Sequence, residues 1–167
     1  MEKLLLIFSI TCFCISAVAL LFHFLSNDQK SLKYNYKLNT SNIQFCREVV
    51  QWTGPILRER GVKYFPSISI KYSNSPKYFG VYYYTTNSIT IYLKNHKGNL
   101  AEICSTVLHE VMHHIQSKKD REFKKLLNYK KYGYTTNRIE VEARAFEKKY
   151  CQICLIDLCK KGIISKY

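Results

Sequence analysis

Residues 109–113 read His-Glu-Val-Met-His, two imidazoles four residues apart with a carboxylate beside the first. On a helix that spacing puts His109 and His113 on one side, a turn apart, where both rings can reach a single ion. Glu110 comes next around the surface, placed to take a proton from a water that a zinc ion has acidified. The glutamate matters as much as the spacing, because two histidines alone would hold a metal without supplying a proton acceptor. With five histidines and nine glutamates in 167 residues, a chance match is rare. Val107, Leu108, Val111 and Ile115 supply the apolar side that would seat such a helix in a core.

Catalytic zinc takes three protein ligands and leaves one position open, so a third donor must come from elsewhere. Glu140 and Glu142 are the candidates. Two residues apart on a helix, they point in nearly opposite directions and cannot both face one ion. Glu147 shares Glu140's side two turns further on and reads as a solvated charge. For stabilising a developing oxyanion the candidates are His96, His114, Tyr132, Tyr134 and Arg138, none with decisive spacing. His114 reads as a packing or surface residue.

These residues need elements to position them. Ile43 to Arg60 has helical periodicity broken at Gly54-Pro55. Three runs rich in Tyr, Ile and Val follow, at Tyr64–Tyr72, Tyr78–Thr85 and Ser88–Leu93. Their close spacing predicts antiparallel hairpins whose core face uses Ile68, Ile70, Val81, Ile89 and Ile91. Asn99 begins a helix to about Lys118, with Glu102 completing a capping-box pattern. A basic helix is predicted over Asp120–Tyr132, ended by Gly133. A long helix then starts at Asn137, with the apolar stripe Ile139, Ala143, Phe146 and Tyr150.

The motif His109 to His113, followed by Ile-Glu-Val-Glu-Ala-Arg-Ala-Phe at 139–146, resembles the compact Glu-zincin metallopeptidases. The resemblance spans roughly residues 64–150. It implies an α+β fold: a minimal zincin-like domain with a small antiparallel sheet, an active-site helix and a C-terminal glutamate helix. It further implies His109, His113 and Glu140 as ligands of Zn2+, with Glu142 second to Glu140, and Glu110 as the catalytic base. A strand beside the cleft has the task of holding the peptide in similar folds, and Ser88–Leu93 is the candidate edge. One departure stands out. Where membrane-associated members carry Asp four residues after the ligand, this chain has Arg144, which cannot accept a hydrogen bond from a ligand histidine. The supporting acceptor must then be a backbone carbonyl, Asn137 or another group.

From Leu4 to Leu25 there is no Asp, Glu, Lys or Arg, a run long enough as a helix to cross about 30 Å of hydrocarbon. This predicts a transmembrane anchor over 1–25, a juxtamembrane linker over 26–42 and the zincin-like domain over 43–167. A cleaved signal peptide is the rival, although no small-x-small pattern follows Leu25. Lys30, Lys33 and Lys37 point the globular part of this single-pass arrangement toward the cytoplasm.

The net charge of +14 suits an anionic membrane surface, an acidic substrate or nucleic acid. No nucleic-acid motif accompanies the dispersed basic residues, so membrane lipid is the expected partner besides a peptide or protein substrate. Of seven cysteines, five lie beyond residue 25, an odd number that does not make a complete disulfide framework. Cys151, Cys154 and Cys159 read as packed thiols, with redox or metal roles as alternatives.

The functional expectation is a membrane-anchored zinc endopeptidase in which Glu110 assists attack by zinc-bound water. Its rivals are a catalytically inactive, zinc-stabilised membrane interaction protein and a metal-free basic binder of membranes or nucleic acid.

Overall fold

The computed structural model describes residues 36–73, 75 and 77–166. Their elements run β1 (Tyr36–Leu38), α1 (Asn42–Trp52), α2 (Gly54–Glu59), β2 (Ser67–Lys71), β3 (Gly80–Tyr83) and β4 (Ser88–Tyr92). A 3-10 turn (Leu93–His96) leads into α3 (Leu100–Lys119). The short turns α4 (Phe123–Leu126) and α5 (Tyr129–Tyr132), the long helix α6 (Arg138–Lys160) and β5 (Ile164–Lys166) follow.

The helix boundaries have local causes. Ser41, Asn99 and Asn137 each accept a hydrogen bond from the first turn of the helix they precede, satisfying donors the helix itself leaves free. At Asn99 only half of the capping box forms, because its own backbone N–H donates to His96 O at 2.8 Å. Pro55 tolerates the first turn of α2, where no intrahelical N–H is needed.

The three-stranded sheet has the order β2-β4-β3. The antiparallel hairpin expected for the second and third runs forms, with Tyr82 opposite Ile89. Its turn ends at Asn87, whose φ of 55° is a conformation that asparagine tolerates well. The pairing of the first run differs from expectation: β2 lies parallel to β4, Ile68 opposite Ile89 and Ile70 opposite Ile91. The chain passes from β2 to the far edge before the hairpin brings β4 back between the other two. Central placement buries Ile89 and Ile91 completely, while Ile68, Ile70 and Val81 stay half-buried. The edge strand on the hairpin side is therefore β3, and Ser88–Tyr92 is no edge.

The two long helices pack on each other, and α3 also packs on the three-stranded sheet. From α3 come Ile103, Cys104, Val107, Leu108, Val111 and Ile115, and from α6 the stripe Ile139, Ala143 and Phe146, continued by Cys154, Leu155 and Leu158. Phe45, Val49 and Val50 of α1 join them. The basic helix predicted over 120–132 is instead two single turns. The Asp120 side chain accepts from Glu122 N, and Asn128 accepts from Lys131 N, so each asparagine or aspartate restarts the chain locally.

A second, two-stranded sheet pairs β1 with β5, Tyr36 opposite Lys166. Strand β1 falls within the stretch read as linker. The helix expected to cross a membrane, residues 1–25, lies outside the described residues, and among the described residues no helix is long and apolar enough to do so. That finding corrects the expectations of a preceding transmembrane helix, a membrane anchor, a lipid partner and a single-pass location. The fold as described is an α+β domain built on an active-site helix and a glutamate helix.

Strand β3 sits close on α3. A Cβ added at Gly80 would come within 2.6 Å of Thr106 Cγ2 and 3.1 Å of Glu110 Cγ, so glycine sets how near the edge strand approaches the helix. Gly80→Ala should destabilise the fold by about 1–3 kcal/mol through overpacking. Adding Thr106→Ser should recover part of the loss, read from urea midpoints at constant m-value. A Gly80→Ala protein as stable as wild type would contradict this packing.

Candidate metal centre

Helix α3 presents His109 and His113 on its inner face and α6 presents Glu140 in its first turn, where the two helices cross. His109 Nε2 and His113 Nε2 lie 3.1 Å apart. The carboxylate of Glu140 approaches them at 3.2 Å and 3.4 Å respectively. One donor atom from each of the three residues falls within 4.8 Å of the others, and all three residues are buried.

The tautomer of His113 follows from its neighbours. Gln116 Nε2 donates to Ile139 O and to Glu142 Oε2, both at 2.9 Å, so Gln116 Oε1 is left as an acceptor. It takes the proton of His113 Nδ1 at 2.8 Å. The Nε2 lone pair of His113 therefore faces the centre. His109 is oriented by Glu147, whose Oε2 lies 3.5 Å from Nδ1 and also accepts from Ser105 Oγ at 3.0 Å. Glu140 Oε1 accepts from Tyr129 OH at 2.9 Å. Its other oxygen is buried, and His109, though close, is not aimed to donate to it.

The electrostatics call for positive charge. Burial works to lower the pKa of His109, yet the carboxylates of Glu140 and Glu147 outweigh it and carry the value up to about 10. Burial works to raise Glu140, but the two histidines hold it well below the ordinary carboxylate range. Converging imidazole nitrogens, an oxygen without a donor and carboxylates that demand a cation together fit a divalent metal ion.

Glu110 is 7% exposed and lies between this cluster and β3. Burial raises its pKa, opposed by His113 and His109, and the backbone amide of Tyr82 hydrogen-bonds its carboxylate. A cleft of about 250 Å3 opens over His109 and Glu110, bounded by Phe79 and Gly80 on one side and by Tyr134 and Arg144 on the other. Burial and then Glu140 push the Tyr134 phenol up to about 12. Two larger cavities lie along the C-terminal part of α3, but they are not lined by His109 or His113.

Of the two glutamates considered from sequence, Glu140 lies against the imidazoles. Glu142 is turned to Gln116 and Arg138. Glu147 is not simply solvated: just under one turn past Arg144 on the same helix, it supplies the carboxylate that Arg144 cannot. Asn137 serves as a helix cap and donates to Leu126 O. Among the oxyanion candidates only Tyr134 reaches the cleft. His96 and His114 are fully buried, bonded to Phe79 O at 3.3 Å and Tyr64 O at 2.8 Å. Arg138 pairs with Asp120, and Tyr132 does not line the cleft. Gln116 and Tyr129 were missed in the sequence. For Gln116 the signal was its place three residues after His113, within reach along the same face.

The histidine motif with its downstream glutamates matches a compact Glu-zincin-like active site. No protein-family model, curated protein or solved structure matches the chain.

If Gln116 and Glu147 orient the two imidazoles, Gln116→Leu and Glu147→Gln should each weaken metal binding about 10- to 100-fold while leaving the helical content intact. Competition with a chromophoric chelator reads the affinity, and unchanged values in both variants would remove the orienting role.

Proposed function

We propose that the protein is a zinc-dependent endopeptidase in which His109, His113 and Glu140 hold the metal and Glu110 is the general base. The observation that carries the proposal is the convergence of those three donors next to a buried glutamate at the rim of an open cleft. Two nitrogens and a carboxylate oxygen are a donor set that suits zinc, and three protein ligands leave a position for chemistry, whereas structural zinc sites are closed by four.

Zinc held there would polarise the scissile carbonyl and acidify the attacking water. Glu110 takes that water's proton and passes it to the amide nitrogen as the carbon–nitrogen bond breaks. A buried carboxylate with a raised pKa suits both halves of this transfer. The edge strand β3 borders the cleft, so an extended peptide can pair along it through main-chain hydrogen bonds, with its carbonyl beside His109. Tyr134, across the cleft, is the candidate donor to the developing oxyanion.

Two predictions separate catalysis from mere metal binding. Glu110→Gln should keep about one zinc per chain yet lower peptide turnover by about 10²- to 10⁴-fold, the span of general-base catalysis. His109→Ala and Glu140→Ala should instead lose zinc, measured by metal analysis after dialysis. Undiminished turnover in Glu110→Gln, or a zinc-loaded wild type that cleaves no unfolded protein substrate, would overturn the endopeptidase assignment.

A further inference from the structure

Arg144 stands four residues after Glu140 on α6, on the same face of the helix, and lines the cleft beside His109. Its guanidinium donates to Thr135 O, which ties the loop carrying Tyr134 to α6 and uses one of five donors. Among the described residues it has no ion-pair partner. The two carboxylates nearest in sequence are engaged elsewhere, Glu142 by Gln116 and Arg138 and Glu147 by His109 and Ser105. At the opposite lip Lys77 also lines the cleft without an ion-pair partner among the described residues. The cleft therefore carries two cations without ion-pair partners among the described residues, one against the metal centre and one at the rim, alongside the carboxylates of Glu110 and Glu147, on a chain with a net charge of +14.

We infer that Arg144 is a specificity-determining residue that binds a carboxylate of the substrate next to the scissile bond, so that the preferred substrates are acidic peptides or peptides ending near that bond. The inference rests on the endopeptidase reading for its chemistry, but the carboxylate subsite itself is a binding property. A planar guanidinium held from behind by the Thr135 carbonyl is pre-organised for a carboxylate, and a charge-assisted pair of this kind is stronger than a neutral hydrogen bond. Lys77 extends the same field outward, and the excess positive charge of the chain draws acidic segments toward it. An acidic side chain and a free C-terminal carboxylate present the same chemistry, so the test must tell them apart.

The full-length, zinc-loaded protein would be assayed with three matched fluorogenic peptides: one with Glu beside the cleavage position and an amidated end, one with Gln and a free C-terminal carboxylate close to that position, and one with Gln and an amidated end. Wild type should turn over one of the carboxylate peptides about 10- to 100-fold better in kcat/KM than the neutral one. Which of the two gains identifies the source of the carboxylate. Arg144→Gln should abolish the preference, read within that variant as the ratio of kcat/KM between the carboxylate and neutral peptides so that any common change in turnover cancels, with the zinc content unchanged, and Arg144→Glu should shift preference to a Lys-containing analogue. Equal turnover of the three peptides by wild type, or a preference that survives Arg144→Gln, would overturn the inference and leave the endopeptidase reading standing. If wild type cleaves none of them, the same peptides would be measured by fluorescence anisotropy. Tighter binding of a carboxylate peptide that is lost in Arg144→Gln would support the subsite although hydrolysis had failed, and equal binding would overturn the subsite.

Discussion

The carboxylate of Glu140, 1% exposed at the crossing of two helices, is the constraint on which the rest of the structure turns. A buried carboxylate without compensation costs several kcal/mol. Here the compensation comes from the opposite helix, as two imidazoles spaced one turn apart, and from a phenol on the loop between. The helices can pack at this crossing only if those groups meet, and the groups can meet only if the helices pack. Fold and site are one arrangement, with positive charge at its centre as the common requirement.

Around that centre, hydrogen bonds hold each member in a single orientation. His113 is fixed through Gln116, which in turn spans α3 and α6 by bonding Ile139 O and Glu142. His109 is fixed through Glu147, itself bonded to Ser105. Both chains of contacts cross the same helix pair, so the groups that aim the imidazoles also bind the helices together. His114, on the far side of α3, reaches Tyr64 O and Tyr82 OH. Helix α3 thus grips α6 with one face and the sheet with the other, and Glu110 is held at the seam between them.

What the sequence disclosed, and what it hid, divides along local and non-local physics. His109, Glu110 and His113 were legible because helical spacing converts directly into a shared face, and Asn99 and Asn137 because capping is a one-turn interaction. The stripe Ile139, Ala143 and Phe146 was legible for the same reason, and all three are buried. Strand order was not. Nothing in the run Ser67–Lys71 says whether its neighbour will be β3 or β4, and the parallel pairing depends on where the chain crosses between them. The support of Glu147 for His109 was hidden behind a count of charges that treats every glutamate on a basic helix as solvated. Tyr129 lies on a single turn whose position is set by Asn128 and by packing, and a sequence with fourteen tyrosines does not single it out.

Strands β1 and β5 place the two ends of the described domain side by side, Tyr36 against Lys166. Because the pair is antiparallel and both ends leave from the same side, tension applied between them opens the pair one rung at a time instead of shearing all its hydrogen bonds together. The clasp is three residues long on each strand, and its rungs lie outside the α3–α6 crossing. A pull on the chain would therefore be absorbed first by the clasp, and the metal centre would bear load only after those strands had separated.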